Sequence, residues 1–598
     1  MAKSNGGSAL PPIVYGPALS EEPDLGALTL GGYLREVTAR FAEREALVMH
    51  ENGGEIRWSY ADLWDRAMQV ARGLRAHGVG KDSRVGVMMT NRPEWLAGVF
   101  GVALSGGVAV TLSTFSTSTE LDYLLRSSAV SILLFEGKVL KKDFCEMLAE
   151  LEPAIMQCAP GKLVSQNYPF LRRLFRVGAT LPSGAIEPWD ALLASAASIP
   201  EAVIEEMAAA VQPHELGAIL YSSGSTALPK GILNTHRGMC IHFWRWPRMF
   251  GLAEDVRSWA PNGFFWSGNF ATVLGATLSS GGCLVLQSTF DPVASLELLE
   301  KERVNYPVVW PHQAKQMREA PNWDTVDLSA MKYVDFALPL AQHPTIRSTW
   351  SEPVCNYGST ETFTVTTCFP NSSPENVRGR SWGEVLAGNA MKIVDPQTGK
   401  TLPRGSRGEI AVKGPTLMLG YLGIDPADTF DADGFFHTGD GGYLDELGRL
   451  QWDGRLSDII KTGGANVSPL EIDAVLEKCP GVKVARTIGV PHDTLGEIVI
   501  GCIVPEDGVI LDAMAVRNFA RQSLASYKIP REILFLREEE LVLTGSAKIR
   551  SSELRKLASN RLSECPSSNS SCPSDKRSRT PREDQGNGAP RSSCRTEG

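Results

Sequence analysis

The feature that most constrains the fold of this chain is a pattern that occurs twice: an apolar helix, a Gly-Gly break and a short apolar strand. The two copies are FGVALSGGVAVTL at residues 100–112 and LGATLSSGGCLVL at residues 274–286. Glycine readily caps the C-terminal end of a helix, and a short run that is apolar throughout is typical of a strand buried on both faces. Each copy therefore predicts the helix-to-strand half of a β-α-β unit. Two copies predict two similar α/β layers within one large domain.

The same alternation of helix and strand continues along the chain from about residue 30. The segment YADLWDRAMQVARGLRAHGVG, residues 60–80, has apolar residues at helical spacing and glycine at its end. The runs SRVGVMM, SILLF and LGAILY are apolar enough to be buried parallel strands. With 598 residues, the chain is also too long for a single hydrophobic core. We therefore predict an α/β protein with more than one domain.

Changes in sequence character predict the domain boundaries. We expect a large domain at residues 26–455, made of the two α/β layers and a β-rich subdomain that begins after about residue 385. A small α+β domain is expected at residues 456–557. Residues 1–25 are predicted to be a loose leader. Residues 558–598, rich in Ser, Pro and charge, are predicted to be a disordered tail.

Composition excludes several classes of protein. A net charge of −9 argues against a general nucleic-acid binder, which would be basic. The eleven cysteines include no CxxC pair and are interpreted as reduced thiols of a cytoplasmic protein. The first residues lack the apolar core of a signal peptide. Gly-Gly pairs interrupt the uncharged stretches at 95–112 and 259–290, so we expect no transmembrane segment.

The segment SSGSTALPKG, residues 222–231, follows the predicted strand LGAILY and has the ingredients of a phosphate-binding loop. Backbone amides, hydroxyls and one lysine can surround phosphate oxygens. The order is not that of a Walker loop, because Pro229 precedes the lysine and the hydroxyls come before it. A flexible surface loop is the alternative, but a loop that follows a buried strand and carries a lysine favours phosphate binding.

Five motifs in order decide between these interpretations. They are YSSGSTALPKG at 221–231, NYGSTET at 356–362, HTGDGGYLDELGRLQWDGR at 437–455, KTGGANVSPLEID at 461–473 and TGSAKIR at 544–550. Together they resemble the adenylate-forming superfamily, which contains acyl-CoA synthetases, firefly-type luciferases and the adenylation domains of peptide synthetases. The resemblance covers about residues 25–557.

The resemblance implies a reaction in two halves. A carboxylate attacks the α-phosphate of ATP, which gives an acyl-adenylate and pyrophosphate, and a thiol, usually that of coenzyme A, then attacks the activated carbonyl. The first half requires charge stabilisation at the phosphate and little acid–base chemistry, because the carboxylate is already a nucleophile. ATP, Mg²⁺, coenzyme A and a small carboxylic acid are the implied cofactors and substrates, and the oligomeric state stays open.

The resemblance also implies roles in ATP binding for individual residues. Thr360 is expected at the α-phosphate, and Glu361 is expected to hold Mg²⁺. Asp440 would accept the ribose hydroxyls, Arg455 would lie near ribose and phosphate, and Tyr357 would stack on adenine. The alternative interpretation of Glu361 is a solvated carboxylate in a loop. The alternative for Arg455 is a residue that forms an ion pair at the hinge. The remaining implied ATP-binding residues are Ser222, Ser223, Gly224, Ser225, Thr226, Lys230, Asn356 and Gly358.

The small domain is implied to rotate between the two half-reactions. In one orientation Lys548 would reach the α-phosphate and the carboxylate. In the other, Gly463 and Gly464 would line the pantetheine tunnel, with the pivot at about Ser457. The sequence departs from the superfamily pattern where Ala227 and Ala547 replace glycine, where Ser457 replaces an acidic or basic residue, and in VDFALPL at 334–340, which lacks a glycine pair.

The resemblance places part of the acyl pocket in GFFWSGNFATVLG, residues 263–275, with Phe265, Trp266 and Phe270 as candidate walls. Its aromatic character, without an aspartate, favours a fatty or other apolar acid over an amino acid. The alternative is that these rings only pack a core helix. We predict an AMP-forming carboxylate–CoA ligase. An enzyme that loads a carrier-protein thiol, a luciferase-like oxidase and a non-catalytic nucleotide-binding module are the alternatives.

Overall fold

The computed structural model describes residues 10–51, 53–178, 183–222, 229–352, 355–462, 465–492, 495–524, 528–542 and 549–564. In this part of the chain, no helix is both long and apolar enough to cross a bilayer. The elements up to residue 210 are β1 (Val14–Tyr15), α1 (Leu30–Arg40), β2 (Glu45–Glu51), β3 (Gly54–Ser59), α2 (Tyr60–Ala76), β4 (Arg84–Met88), α3 (Pro93–Leu104), β5 (Val108–Thr111), α4 (Ser118–Ser128), β6 (Ile132–Glu136), β7 (Lys138–Val139), β8 (Lys142–Asp143), α5 (Phe144–Leu151), α6 (Ala154–Gln157), β9 (Arg173–Val177), β10 (Ile186–Pro188), α7 (Trp189–Ser195) and α8 (Glu201–Ala210).

The next segment of the chain, residues 216–385, contributes to both α/β layers. Its elements are β11 (Leu216–Ser222), β12 (Lys230–Thr235), α9 (His236–Phe250), β13 (Arg257–Trp259), α10 (Ser267–Asn269), a π-helical turn (Phe270–Gly275), α11 (Ala276–Ser279), β14 (Cys283–Leu286), α12 (Pro292–Lys301), β15 (Tyr306–Pro307), α13 (Pro311–Arg318), β16 (Asn356–Tyr357), a 3₁₀ turn (Thr360–Thr362), β17 (Thr367–Cys368), α14 (Glu375–Arg378) and β18 (Glu384–Val385).

Strands dominate the next part of the chain, and a small α+β unit ends it. The strands of the β-rich part are β19 (Ala390–Val394), β20 (Gly408–Lys413), β21 (Phe436–Leu444) and β22 (Leu450–Arg455). The small unit contains β23 (Ile460–Thr462), β24 (Ala465–Val467), α15 (Pro469–Leu476), β25 (Val482–His492), β26 (Gly496–Pro505), α16 (Ala513–Arg521), β27 (Glu532–Phe535) and α17 (Ser551–Glu564).

Both helix–Gly-Gly–strand patterns have the predicted structure. Gly106 lies between α3 and β5 at φ +71°, and Gly281 lies between α11 and β14 at φ +70°. Only glycine takes this left-handed conformation at no steric cost, so it can turn the chain directly from helix to strand. The strand β5 pairs in parallel with β4 and β11, and β14 pairs in parallel with β13 and β2. The prediction of an α/β fold is confirmed.

The two copies belong to two different sheets with a helical layer between them. The first sheet has the order β10-β9-β6-β4-β5-β11-β12, and the second has the order β15-β13-β14-β2-β3. Val85 and Val87 of β4 share one core cluster with Leu284 and Leu286 of β14, together with residues of the helices α1, α2, α3 and α9. Side chains alternate between the two faces along a strand. Met88 of β4, and Cys283 and Val285 of β14, therefore belong to the cores on the outer face of each sheet.

The first sheet ends in a reversed strand. All of its neighbouring strands are parallel except β11 and β12, which form an antiparallel pair. The connection between these two strands, residues 223–228, lies outside the described residues. The β-rich part forms an antiparallel sheet of the order β1-β19-β20-β21-β22. The small unit is built on a further sheet of β23 to β27.

The prediction of a loose leader at residues 1–25 is wrong for its described part. Val14 and Tyr15 pair with Met391 and Ala390, which adds β1 to the β-rich sheet. Farther along, the carboxylate of Glu22 is buried and accepts hydrogen bonds from Arg245, 3.1 Å away, and from Arg248. Arg245 is itself fully buried in α9. Residues 14–22 are therefore held on the large domain by strand pairing and a buried ion pair.

The predicted boundary between the small domain and the tail, at residue 557, is also too early. The helix α17 continues to Glu564. Ala558 is 1% exposed in a core cluster with β25 and β26, and Arg561 donates to the carbonyl of Phe535 at 3.1 Å. The last turns of this helix therefore belong to the small domain.

We predict that Glu22→Ala lowers the stability of the large domain strongly. Removing one partner of a buried ion pair leaves the other charge uncompensated, which costs about 3–5 kcal/mol. The measurement is the midpoint of urea unfolding, followed by the fluorescence of the many tryptophans. Glu21→Ala is the control, because Glu21 is the exposed neighbour in sequence. Equal midpoints for the two variants would show that the ion pair of Glu22 does not stabilise the domain.

Candidate active site

The phosphate-loop motif begins and ends on paired strands. Ser222, the last residue of β11, pairs with Lys230, the first residue of β12. Both predicted ATP-binding residues therefore lie side by side at one end of the reversed strand pair. Four other predicted residues of this loop, Ser223, Gly224, Ser225 and Thr226, lie outside the described residues, as does Ala227.

The second motif, NYGSTET, is a short strand followed by a 3₁₀ turn that carries Thr360 and Glu361. Gly358 allows the turn to close, because a Cβ there would lie 2.0 Å from the carbonyl oxygen of Thr364. The backbone carbonyl of Glu361 accepts from the amide of Met418 at 2.8 Å. Phe363, the next residue but one, is fully buried and has φ +62°, a conformation that costs about 1–3 kcal/mol for a residue with a side chain. The packed core thus fixes the position of the turn.

Tyr421 links the first two motifs, and sequence reasoning missed it. Its hydroxyl donates to Glu361 Oε1 at 2.8 Å, and Lys230 Nζ lies 5.0 Å from the centre of its ring. The segment of Tyr421 runs beside β12, where the amide of Leu422 donates to the carbonyl of Gly231 at 2.8 Å. Burial, followed by the nearby charge of Glu361, raises the pKa of Tyr421 and keeps its proton available for donation. The only sequence signal was a tyrosine between two glycines in GYLG.

The third motif places Asp440 on β21, directly across the ladder from Arg455 on β22. Asp440 is 5% exposed, and its Oδ2 accepts from the Tyr357 hydroxyl at 2.7 Å. Its Oδ1 lies 3.1 Å from Arg455 Nε but accepts no hydrogen bond among the described residues. Burial raises the pKa of Asp440, and Arg455 opposes that rise. Oδ1 is therefore held by its ion pair with Arg455, and no contact among the described residues gives it a well-aligned hydrogen bond.

Tyr357 and Arg455 also touch other parts of the site. The side chain of Tyr357 is buried, and its ring lies 6.3 Å from that of Trp452. Trp452 is a second residue that sequence reasoning missed. Arg455 donates from Nη1 to the carbonyl of Thr438 at 2.7 Å and remains half exposed. Asn356 lies next to Tyr357 on β16. The roles proposed for these residues in nucleotide binding stay predictions.

The predicted residues of the small domain are described only in part. Ser457 is exposed in the turn that follows β22, where the amide of Asp458 donates to the carbonyl of Arg455 at 3.0 Å. The predicted pivot thus comes directly after a candidate ribose residue. Gly463, Gly464 and Lys548 lie outside the described residues, as does Ala547.

The candidate acyl residues form two layers of aromatic contacts. Phe270 is fully buried in the π-helical turn, and its ring lies 5.8 Å from that of Phe363. Phe265 is also buried, Trp266 is half-buried, and their rings lie 4.9 Å apart. Phe115, in the loop after β5, stacks on Trp266 at 5.8 Å with the planes 15° apart. Sequence reasoning missed Phe115 because it belongs to another segment of the chain.

These contacts bring most of the described motif residues into one region. The charges of Arg455 and Glu361 are close enough to shift the pKa of Asp440, the first down and the second up. Tyr421 contacts both Lys230, through its ring, and Glu361, through its hydroxyl. A lysine and an arginine beside two carboxylates can bind the phosphates, metal ion and sugar of a nucleotide. The aromatic layers begin at Phe363, directly after this polar group, so an apolar substrate could lie against it.

Comparison with known proteins agrees with this geometry. The profile of the AMP-binding enzyme family matches residues 34–422, and that of the AMP-binding enzyme C-terminal domain matches residues 471–548. A feruloyl-CoA synthase of Amycolatopsis sp is 30% identical over 536 residues, which are 87% of this chain and 97% of that protein. The mitochondrial medium-chain acyl-CoA ligase ACSF2 of Danio rerio is 27% identical, with 92% of this chain and 91% of that protein covered.

A solved structure shows the same fold. The crystal structure of ATP-bound MatB from Rhodopseudomonas palustris matches with a TM-score of 0.69 and 24% identity, covering 89% of this chain and 99% of that one. The chain therefore belongs to the AMP-binding enzyme family, the adenylate-forming class that its motifs predict. The large N-terminal and small C-terminal domains of the predicted fold are those of this class.

We predict that Asp440→Asn raises stability at neutral pH. The fold penalises the ionised carboxylate, since burial raises the pKa of Asp440 above its ordinary value of 3.8. That penalty is present above the raised pKa and disappears as acid protonates the group in both states. The gain in urea midpoint should therefore be largest near pH 7–8 and should shrink as the pH falls towards about 4.

The control for this experiment is Asp428→Asn, a change at an exposed aspartate of the same subdomain. It should leave the urea midpoint unchanged across the same pH range. A loss of stability in Asp440→Asn at pH 7–8 would mean that the attraction of Arg455 exceeds the cost of burying the charge.

Proposed function

We propose that this AMP-forming carboxylate–CoA ligase is a cytoplasmic enzyme that activates a fatty or other apolar carboxylic acid, aliphatic or aryl, as an acyl-adenylate. The observation that carries the proposal is the ring contact of 5.8 Å between Phe270 and Phe363. In this contact, the segment proposed to bind the acyl group lies beside the turn of Thr360 and Glu361. An apolar acid lying on these rings would present its carboxylate to the residues expected at the α-phosphate. The reduced cysteines, several of them buried, support the location.

In the first half-reaction, a carboxylate oxygen bonds to the α-phosphorus and the bond to the pyrophosphate oxygen breaks. The phosphate loop from Ser222 to Lys230 would bind the β- and γ-phosphates, with Thr360 at the α-phosphate. Oδ1 of Asp440 fits a ribose hydroxyl, because it is buried and accepts no hydrogen bond from the described residues. Tyr357 and Asn356 would contact adenine. Preorganised charges and donors of this kind are usually the largest contribution to such catalysis.

Glu361 fits Mg²⁺, since a carboxylate oxygen is the ligand that this hard cation prefers and one or two carboxylates usually suffice beside phosphates. The Tyr421 hydroxyl fixes Oε1 and so orients the carboxylate. When bound, Mg²⁺ supplies neutralising charge to the phosphate oxygens. Arg455, half exposed beside Asp440, would add a cation on the other side of the nucleotide.

In the second half-reaction, the sulfur of coenzyme A bonds to the acyl carbonyl and AMP leaves. Gly463 and Gly464 would line the path of the pantetheine arm, because backbone without side chains allows close approach. A feruloyl-CoA synthase and a medium-chain acyl-CoA ligase among the relatives support coenzyme A as the acceptor.

The acid preference predicts the outcome of a substrate screen. Pyrophosphate release should be fastest with apolar aliphatic or aryl acids and slow with amino acids, and thioester should form only when coenzyme A is added. Trp266→Ala should change which size of acid gives the fastest pyrophosphate release, and it should have little effect on the KM for ATP. The assay combines coupled pyrophosphate release with chromatography of the thioester. Fast release with an amino acid would contradict the proposal, and release without thioester would favour a carrier-protein or oxidase function.

We predict that Lys548→Ala loses adenylation by about 10²–10³-fold, the range for removing one transition-state charge contact, with a much smaller effect on thioester formation. The two steps are measured separately, by pyrophosphate exchange and by transfer from a supplied acyl-adenylate to coenzyme A. Lys556→Ala is the control, since Lys556 is an exposed lysine of α17 paired with Glu553. Equal losses in both steps would contradict the assigned role of Lys548.

A further inference from the structure

Two large apolar side chains are exposed on two neighbouring segments near the outer acyl layer. Leu140 is 69% exposed in the two-residue turn between β7 and β8, and Phe115 is 56% exposed in the loop after β5. We refer to these two residues, with the hairpin of residues 138–143, as the apolar tip. An exposed leucine alone requires no explanation, but two such residues beside a candidate substrate path suggest an interaction site.

The hairpin and the loop of Phe115 form one surface. Lys142 on β8 extends its ammonium group to three consecutive backbone carbonyls of that loop. The distances from Nζ are 2.7 Å to Phe115, 2.8 Å to Ser116 and 3.4 Å to Thr114. This contact holds the hairpin that carries Leu140 against the loop that carries Phe115.

The conformation of Leu140 is costly. It has φ +53° at the first position of a two-residue hairpin turn, a place usually taken by glycine. A leucine there bears the strain of the left-handed conformation and also exposes its side chain to water. It belongs to none of the apolar clusters of the described residues, whereas its neighbour Val139 packs inward. The exposed side chain therefore gains little burial to offset the cost of this backbone conformation.

Two lysines determine which kind of surface suits the tip. Lys138 and Lys141 are exposed on either side of Leu140, and neither forms an ion pair among the described residues. This local positive charge contrasts with the net charge of −9 for the whole chain. Apolar side chains flanked by free cations match the interface of a bilayer that contains anionic lipids.

The tip also leads to the candidate acyl site. Phe115 stacks on Trp266 at 5.8 Å and meets the ring of Phe265 at 6.0 Å, and Phe265 is only 4% exposed. Aromatic rings thus continue from the exposed tip to the buried side of the acyl segment. An acid that leaves a bilayer at Phe115 would meet an apolar path.

We propose that the apolar tip docks this protein on the surface of an anionic lipid bilayer, with Leu140 and Phe115 inserted and Lys138 and Lys141 at the headgroups. A stable protein–protein interface needs about 800 Å² from each partner, much more than two side chains supply. Bilayer docking needs only a few apolar groups and cations. Delivery of the acid from the bilayer to Trp266 rests in addition on the proposed function.

Vesicle co-sedimentation of the full chain tests the docking without using activity. The protein should bind vesicles of phosphatidylcholine with phosphatidylserine more tightly than vesicles of phosphatidylcholine alone, and salt should weaken the binding. Leu140→Ser should reduce the affinity about tenfold, the low end for exposing one leucine. Lys138→Glu and Lys141→Glu should each reduce it at least about fivefold on the anionic vesicles.

Leu447→Ser is the matched control, because Leu447 is 72% exposed in the turn between β21 and β22. It should leave vesicle binding unchanged. The proposal is overturned if the unaltered protein binds neither vesicle, or if Leu140→Ser and Leu447→Ser weaken binding equally. It is also overturned if light scattering without lipid shows self-association that Leu140→Ser abolishes, since a second copy would then occupy the tip.

A second measurement separates docking from the proposed function. With an acid dissolved in the anionic vesicles, Leu140→Ser should slow turnover, whereas turnover of a short water-soluble acid should stay unchanged. If no apolar acid is turned over, the proposed function fails while the vesicle binding still decides the docking. If both acids are slowed equally, Leu140 supports folding or catalysis and the delivery step is overturned.

Discussion

The hydrogen bond of 2.7 Å from Tyr357 to Asp440 is the contact on which the geometry of the site depends. Tyr357 belongs to the strand that leads into the turn of Glu361, and Asp440 belongs to the β-rich sheet. These elements form separate sheets, and this bond joins the turn of Glu361 to the strand pair of Asp440 and Arg455. Tyr421 has a corresponding role between Glu361 and the reversed strand pair, where Lys230 lies over its ring. Two tyrosine hydroxyls thus fix both carboxylates of the site.

This arrangement has a cost in stability. Asp440 is buried with a raised pKa and an oxygen that accepts no hydrogen bond within the described chain, and Phe363 has a backbone conformation that its side chain disfavours. Such features persist only where the surrounding structure enforces them. Here the surrounding structure is the core between the two α/β sheets, because Phe363 packs against Phe243 and Phe270. The stable α/β layers therefore support a strained and desolvated site at their edge.

Local signals in the sequence predicted the layers well and long-range contacts poorly. The helix–Gly-Gly–strand pattern needs only adjacent residues, so its two copies were found at once. The leader was misjudged because β1 has two residues and the buried partners of Glu22 lie on α9, far along the chain. The last turns of α17 were missed because their polar composition hides the contacts of Ala558 and Arg561. Motif order identified Glu361 and Asp440, whereas Tyr421 and Phe115 had no motif and depend on tertiary contacts.

The strand β22 connects two parts of the molecule that are otherwise distant in the chain. Its last residue, Arg455, lies beside Asp440, and the next residues form the turn that leads to the small domain. The hydroxyl of Ser468, at the start of α15, donates to the carbonyl of Asp453 on the same strand. Under the proposed function, a nucleotide that moves Arg455 would also move the segment that leads to the small domain. The orientation of that domain and nucleotide binding would then be thermodynamically linked, so that each biases the other by the same free energy.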